Sequence, residues 1–168
     1  MKELIDRREF IKATGMATAG TLLANPIAAS VFGQNNKKVR LAMVGTGIRG
    51  ITFWGKNITE NYNVQTEFVG LCDINPGRVE FARKYIGAKC NTYTDFEKMM
   101  KKEKPDVLIV TTVDATHDQF IIKALEMGVD VITEKPMTTD EVKCKNILDA
   151  EKRTGKQVIV GFNYRYGI

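Results

Sequence analysis

Three glycines with a fixed spacing are the residues of this sequence best suited to binding a dinucleotide. Gly45, Gly47 and Gly50 follow the apolar run at 39–44, which predicts a buried strand of a parallel sheet. The first glycine permits a tight turn, the second lets the backbone approach a pyrophosphate, and the third lets the next helix pack closely on the strand. The helix N-terminus then favours the charge of the phosphates. The predicted contacts are Gly45, Thr46, Gly47, Ile48, Arg49 and Gly50.

An acidic residue is expected about 20 residues after such glycines, where it accepts hydrogen bonds from the adenosine ribose. Asp73 meets this expectation at the end of the run 67–73, which predicts a second strand. The alternative role of Asp73 is to cap the next helix, but Asn75 before Pro76 is the better N-cap. A carboxylate here repels a 2′-phosphate, so the sequence favours NAD over NADP, and Arg78 can soften that preference.

The composition of the 168 residues is that of one folded domain of ordinary size. Hydrophobic residues make up 43%, which is enough for a core. The net charge of +5 comes from interspersed lysines and carboxylates without a basic stripe among aromatics, so nucleic-acid binding is not indicated. Three scattered cysteines and one histidine indicate neither a disulfide framework nor a metal site.

Residues 1–33 differ from the rest of the chain. The run Arg7-Arg8-Glu9-Phe10-Ile11-Lys12 precedes a weakly apolar stretch rich in Ala, Thr and Gly, which is typical of a twin-arginine signal peptide. The alternative is an amphipathic N-terminal helix. No other run approaches the ~20 apolar residues of a membrane span. This interpretation predicts use of the twin-arginine export machinery, a periplasmic location, and a nucleotide held tightly because it travels inside the folded protein.

Strand-like and helix-like runs alternate from residue 39 to residue 162. Three helices are predicted to open on capping pairs, namely Thr94 with Glu97, Thr116 with Gln119, and Thr138 with Glu141. Such alternation predicts an α/β fold over residues 34–162, a doubly wound parallel sheet (Rossmann fold) with ligands at the carboxyl ends of the strands. The six main strands are predicted at 39–44, 67–73, 88–93, 106–111, 129–133 and 158–162.

The order of these motifs resembles the Gfo/Idh/MocA oxidoreductases, a family that includes glucose-fructose oxidoreductase and inositol dehydrogenases. The resemblance rests on the glycine turn, Asp73, residues 111–117, Glu134-Lys135-Pro136 and residues 163–166, and the Glu-Lys-Pro turn is its most specific part. The family has a second α+β domain that carries most of the substrate pocket. The resemblance therefore implies that this chain is truncated to the nucleotide-binding half, that residues 163–168 begin the substrate domain, and that the full-length protein is a homo-oligomer.

The turn after the fifth strand carries the predicted catalytic residues. Moving a hydride from a sugar or polyol carbon to nicotinamide needs a group that faces the substrate hydroxyl. Lys135 is the candidate, because a lysine at the end of a central strand beside the cofactor can hydrogen-bond the substrate oxygen and stabilise negative charge there. The alternative is an ordinary solvated lysine. Glu134 is expected either to orient Lys135 or to contact the nicotinamide ribose.

Further cofactor contacts are predicted after the fourth strand and at the end of the chain. His117 has an alternative role as a structural hydrogen-bonding group, and the adjacent helix dipole disfavours its charged form. The two residues near the end of the chain have the alternative of capping the sheet edge. The predicted contacts are Thr111, Thr112, Asp114, His117, Asn163 and Arg165.

Three functions are compatible with these residues. The leading hypothesis is a nicotinamide-dependent oxidoreductase that acts on a sugar or polyol, with this chain as its nucleotide-binding half. The second is an NAD-dependent glycosidase that oxidises, eliminates and re-reduces its sugar, although retention of Glu-Lys-Pro favours the oxidoreductase. The third is a module that binds the nucleotide without turnover, which applies if the short chain is the whole mature protein.

Overall fold

Apolar runs of the sequence form a six-stranded parallel sheet in the structure, a computed structural model that describes residues 37–162. The predicted signal peptide and the predicted contacts Asn163 and Arg165 lie outside the described residues. The strands are β1 Val39–Val44, β2 Thr66–Cys72, β3 Asn91–Tyr93, β4 Val107–Val110, β5 Asp130–Glu134 and β6 Val158–Gly161.

Helices occupy most of the connections between the strands. The helix α1 after the glycine turn combines a π-helical segment, Gly50–Lys56, with an α-helical segment, Asn57–Asn61. A 3₁₀ turn at Asp114–Thr116 precedes the fourth helix. The remaining helices are α2 Pro76–Ile86, α3 Phe96–Glu103, α4 His117–Glu126 and α5 Glu141–Thr154.

The strand order is β3-β2-β1-β4-β5-β6, and every neighbouring pair is parallel. This order confirms the predicted doubly wound α/β fold. The chain reverses its direction of travel across the sheet between β1 and β4. In open parallel sheets the crevice outside the carboxyl ends of such a pair is where ligands bind.

Side chains that alternate along the central strands bury both faces of the sheet. Leu41 and Met43 point to the cluster formed with α1 and α2, whereas Ala42 and Val44 point to the cluster formed with α3, α4 and α5. The same alternation recurs in β4. Because both faces are covered, the central strands are apolar at nearly every position, as parallel sheets require.

Two predicted helix caps are wrong, and a third lacks its expected hydrogen bond. The N-caps of α3 and α5 are Asp95 and Asp140, whose carboxylates accept hydrogen bonds from the N–H groups three residues later, rather than Thr94 and Thr138. Thr116 is the N-cap residue of α4, as predicted, but its backbone is helical instead of extended and its hydroxyl accepts no hydrogen bond from the helix; the hydroxyl donates to the carbonyl of Val113 at 2.7 Å. Asn75 is the N-cap of α2, as predicted.

The third strand is shorter than predicted. The N–H of Ala88 donates to the carbonyl of Arg83, so residue 88 belongs to the termination of α2 around Gly87, and β3 begins only at Asn91. Within residues 37–162, no helix is long and apolar enough to cross a membrane.

Replacing Asp140 with Ala should lower the free energy of unfolding by about 1 kcal/mol, because the substitution removes the N-cap acceptor of α5. Thr138→Val is the matched variant, since the Thr138 hydroxyl is buried without a hydrogen-bond partner in the described part of the chain. Its unfolding free energy should stay within about 0.5 kcal/mol of the unsubstituted chain or rise. Urea unfolding followed by circular dichroism measures both, and a greater loss at Thr138 would contradict the assignment.

Candidate functional site

The backbone of the glycine turn packs directly on the end of β4. Gly45 has φ of +87°, and a Cβ atom there would lie 2.6 Å from the backbone carbon and oxygen of Thr111. A Cβ atom on Gly50 would lie 2.6 Å from the Gly45 carbonyl oxygen and from Thr111 Oγ1. The Thr111 hydroxyl donates to that carbonyl at 2.5 Å. The first and third glycines are therefore required by the packing of the turn itself.

Gly47 differs from the other two glycines, because no atom lies within 4 Å of the position its Cβ would take. It faces a groove of about 570 Å³ outside the carboxyl ends of β1, β2 and β4. The predicted site residues that line this groove are Gly45, Gly47, Asp73, Arg78, Thr111 and Thr112. Open space beside backbone N–H groups at the start of α1 suits a phosphate.

Asp73 connects the end of β2 to the glycine turn. The carboxylate is buried, and its Oδ2 accepts hydrogen bonds from the N–H of Thr46 at 2.8 Å and from its hydroxyl at 3.0 Å. Oδ1 accepts from the N–H of Asn75 at 3.0 Å and lies 3.6 Å from Arg78 Nη1. Three of about four acceptor positions of the carboxylate are thus used within the chain. Thr46, which is itself buried, therefore serves the shape of the turn.

Cys72 immediately precedes this carboxylate and also lines the groove. Burial and the neighbouring charge of Asp73 raise the pKa of the Cys72 thiol to about 12. The thiol is neutral at pH 7, so the groove offers no thiolate nucleophile at this position.

Glu134, at the end of β5, makes contacts that the sequence did not predict. Its buried carboxylate accepts hydrogen bonds on the same oxygen, Oε1, from Arg49 Nε at 2.9 Å and from Trp54 Nε1 at 2.7 Å. The prediction that Glu134 orients Lys135 is wrong in this structure, because no hydrogen bond or ion pair joins the two side chains. Arg49, predicted as a cofactor contact, pairs with Glu134, and its Cζ lies 4.0 Å from the centroid of the Phe53 ring.

Lys135 follows Glu134 and is exposed. Its peptide bond to Pro136 is cis. Among residues 37–162, none makes a hydrogen bond or ion pair with the Lys135 ammonium group. The residues on either side of it are held by the fold, whereas the ammonium group is free to meet a ligand.

His117 is fully buried at the start of α4, where both ring nitrogens face backbone carbonyls. Nε2 lies 3.1 Å from the Thr112 oxygen, and Nδ1 lies 3.0 Å from the Pro136 oxygen. The ring thus joins the loop after β4 to the turn that carries Lys135. A cofactor contact, as predicted for this side chain, does not fit its burial. The alternative role, a structural hydrogen-bonding group, fits.

Two other predicted contacts lie outside the groove lining. Ile48 is 81% exposed, and Asp114 is exposed at the start of the 3₁₀ turn. Nine residues that line the groove were not predicted as site residues from the sequence: Val44, Cys72, Ile74, Thr94, Phe96, Val113, Thr116, Gln119 and Phe120. Ile74 and Thr94 could have been predicted from their positions, because each directly follows the carboxyl end of a predicted strand. In the part of the chain that the structure describes, no cluster of His, Cys, Asp and Glu side chains is arranged to hold a metal ion.

Fold and groove together define a nucleotide-binding Rossmann domain. A family model described as an oxidoreductase family with an NAD-binding Rossmann fold matches residues 39–162. The chain belongs to this family, the Gfo/Idh/MocA oxidoreductases, which confirms the resemblance and NAD as the expected cofactor.

Similar proteins include YteT, which is named as an oxidoreductase, and several inositol dehydrogenases. YteT of Bacillus subtilis is 35% identical over 130 residues, which cover 75% of this chain and 30% of YteT. The inositol 2-dehydrogenase/D-chiro-inositol 3-dehydrogenase of Lactiplantibacillus plantarum is 29% identical, with 71% of this chain and 35% of the relative covered. The chain thus spans about a third of the length of the curated relatives it matches.

Solved structures show the same fold. The WlbA dehydrogenase from Chromobacterium violaceum, in complex with NADH and UDP-GlcNAcA, has a TM-score of 0.71 and 27% identity, and the match covers 79% of this chain and 37% of that one. The scyllo-inositol dehydrogenase from Lactobacillus casei, with bound NAD(H) and scyllo-inositol, has a TM-score of 0.70 at 22% identity, covering 78% and 38%. At that identity the second likeness shows the fold alone.

The different surroundings of the glycines predict different effects of one added methyl group. Gly45→Ala should lower the free energy of unfolding by more than about 1 kcal/mol, because the residue has positive φ and its Cβ would overlap the Thr111 backbone. Gly47→Ala should leave the unfolding free energy unchanged or raise it by up to about 1 kcal/mol. Chemical denaturation measures both variants, and equal losses would contradict the described packing.

Proposed function

We propose that this chain is the nucleotide-binding half of an oxidoreductase that uses NAD to oxidise or reduce a sugar or polyol. The observation that carries the proposal is the groove at the reversal between β1 and β4, where the open position at Gly47 adjoins the carboxylate of Asp73. The similar inositol dehydrogenases and the WlbA dehydrogenase with its sugar nucleotide support this class of substrate.

The described residues fit NAD along the groove. Asp73 would hold the adenosine ribose, with Arg78 beside the 2′ position, and the turn around Gly47 would hold the pyrophosphate. The loop at Thr112 and the end of β5 at Glu134 would hold the nicotinamide riboside. An exposed aliphatic side chain on each wall, Ile74 and Val113, gives the adenine end the apolar surface that a base requires.

NAD, when bound, supplies a carbon that accepts or donates a hydride. Lys135 would perform the proton transfer that belongs to the chain. Its neutral amine would take the proton of the substrate hydroxyl as the carbon is oxidised, and the ammonium group so formed would hydrogen-bond the carbonyl oxygen and return the proton in reduction. Glu134 keeps a second oxygen without a hydrogen bond from any described residue, and this oxygen suits a hydroxyl of the nicotinamide ribose.

Two properties of the whole protein complete the proposal. The twin-arginine motif at Arg7 and Arg8 directs the folded protein to the periplasm, and the NAD it carries is bound tightly enough to survive export. The substrate pocket is formed largely by a further domain, and the complete protein is a homo-oligomer.

The chain should bind NAD more tightly than NADP, because the Asp73 carboxylate repels a 2′-phosphate. Arg78→Ala should weaken NADP binding by about 5- to 20-fold, since Arg78 is the cation beside that carboxylate, and should change NAD binding less than about twofold. Calorimetric titration of the chain with each nucleotide measures these affinities. Lys84→Ala, on the same helix but outside the groove lining, is the matched control. If the chain bound neither NAD nor NADP, the proposed function would be wrong.

Lys135→Ala should spare nucleotide binding and lower turnover by about 10²- to 10⁴-fold in the protein that carries the substrate domain, because the group facing the substrate hydroxyl is lost. NADH formation with inositol as the test polyol measures turnover, and titration with NAD provides the binding control. Lys143→Ala removes a lysine that pairs with Asp118, and it should retain activity. Full activity of Lys135→Ala would show that the catalytic assignment is wrong.

A further inference from the structure

The helix after the glycine turn begins with an unusual geometry. Residues 50–56 form a π-helix, in which the hydrogen bonds run from residue i to residue i+5. Such segments are rare and are often found at functional sites. Arg49 immediately precedes the segment and Trp54 lies five residues further on, within it.

This geometry brings Arg49 and Trp54 to one side of α1. In a regular α-helix of 3.6 residues per turn, side chains five residues apart point about 140° away from each other. In the π-helical segment they lie close to the same face, and both donate to the same atom, Glu134 Oε1, at 2.9 Å and 2.7 Å. The local helix geometry therefore serves a contact with a strand 80 residues away in sequence.

Packing fixes the indole ring of Trp54. A Cβ atom on Gly161 of β6 would lie 3.0 Å from Trp54 Cζ2, so the ring lies close against a strand backbone that has no side chain at that point. The ring of Phe53 meets it edge-on, with 5.4 Å between ring centroids. Because the ring has little freedom, its N–H is a fixed donor.

Two donors on one oxygen leave the other oxygen of Glu134 available. Oε2 accepts no hydrogen bond from the described residues. It keeps some exposed surface, unlike the fully buried polar atoms that lack a partner. It is therefore accessible from outside, on the residue directly before Lys135. We propose that Trp54 is a positioning residue for the nicotinamide end of the cofactor, because it fixes Glu134 so that Oε2 meets a hydroxyl of the nicotinamide ribose.

This inference rests on the proposed NAD binding and is tested with two ligands. NAD carries the nicotinamide riboside, whereas ADP carries only the adenosine and the two phosphates. Trp54→Phe keeps an aromatic ring and removes the N–H. It should raise the Kd for NAD about tenfold, because a displaced Glu134 would lose its hydrogen bond to the ribose hydroxyl, and it should change the Kd for ADP less than about twofold. Calorimetric titration of the full chain gives both constants.

A double-substitution cycle shows whether Trp54 acts through Glu134. Glu134→Ala alone should also weaken NAD binding and leave ADP binding unchanged. Adding Trp54→Phe to Glu134→Ala should cause no further loss of NAD affinity. Arg49→Ala removes the other donor from a half-exposed position, should give the same selective loss, and keeps the test available if Trp54→Phe does not fold. Phe81→Leu, at an exposed aromatic on α2, is the control and should change neither constant.

The outcomes separate the inference from the function on which it rests. The positioning role is supported if both donor variants weaken NAD binding without weakening ADP binding, and if neither has this effect when Glu134→Ala is already present. Three results would overturn this role: equal weakening of NAD and ADP binding, no change in either affinity, or additive losses of NAD affinity in the double variant. NAD binding by the unsubstituted chain would still support the proposed function in each case. If the unsubstituted chain bound neither ligand, the proposed function would fail and this inference with it.

Discussion

The contact between the backbone of the glycine turn and the backbone at the end of β4 is the constraint on which the site depends. At Gly45 and Gly50 the two segments approach so closely that a single Cβ atom would overlap the Thr111 backbone or hydroxyl. This approach is possible because β1 and β4 are direct neighbours in the sheet. It places the N-terminus of α1 beside the crevice where the chain reverses across the sheet, so that phosphate-binding N–H groups and the groove coincide.

Two buried carboxylates hold this arrangement from opposite sides. Asp73, directly after β2, accepts hydrogen bonds from the N–H and hydroxyl of Thr46, while Glu134, at the end of β5, accepts hydrogen bonds from Arg49 and Trp54. A buried carboxylate is costly unless donors satisfy it, and both of these have several. Asp73 also lines the groove. In the proposed function both carboxylates would meet ribose hydroxyls, so residues that shape the turn would also contribute to the affinity for the nucleotide.

Much of the fold was predictable from local patterns. The six strands and the helix that starts at Pro76 depend on short-range sequence features, and the structure confirms them. The helix caps were less accurate, because Thr-x-x-Glu and Asp one or two residues later are both good N-terminal signals. In α3 and α5 the aspartate is the N-cap, because it is the residue with extended backbone directly before the first helical turn.

The sequence alone determined the strand–turn–helix at Gly45, the acidic end of the second strand and the position of Lys135 after a central strand, because these depend on spacing along one chain. Only the tertiary structure decided what Glu134 and His117 contact. Glu134 meets donors 80 and 85 residues away, and His117 meets a carbonyl 19 residues away. Such pairs form when separate strands end at the same edge of a sheet and a helix takes an irregular turn, and neither event leaves a periodic pattern in the sequence.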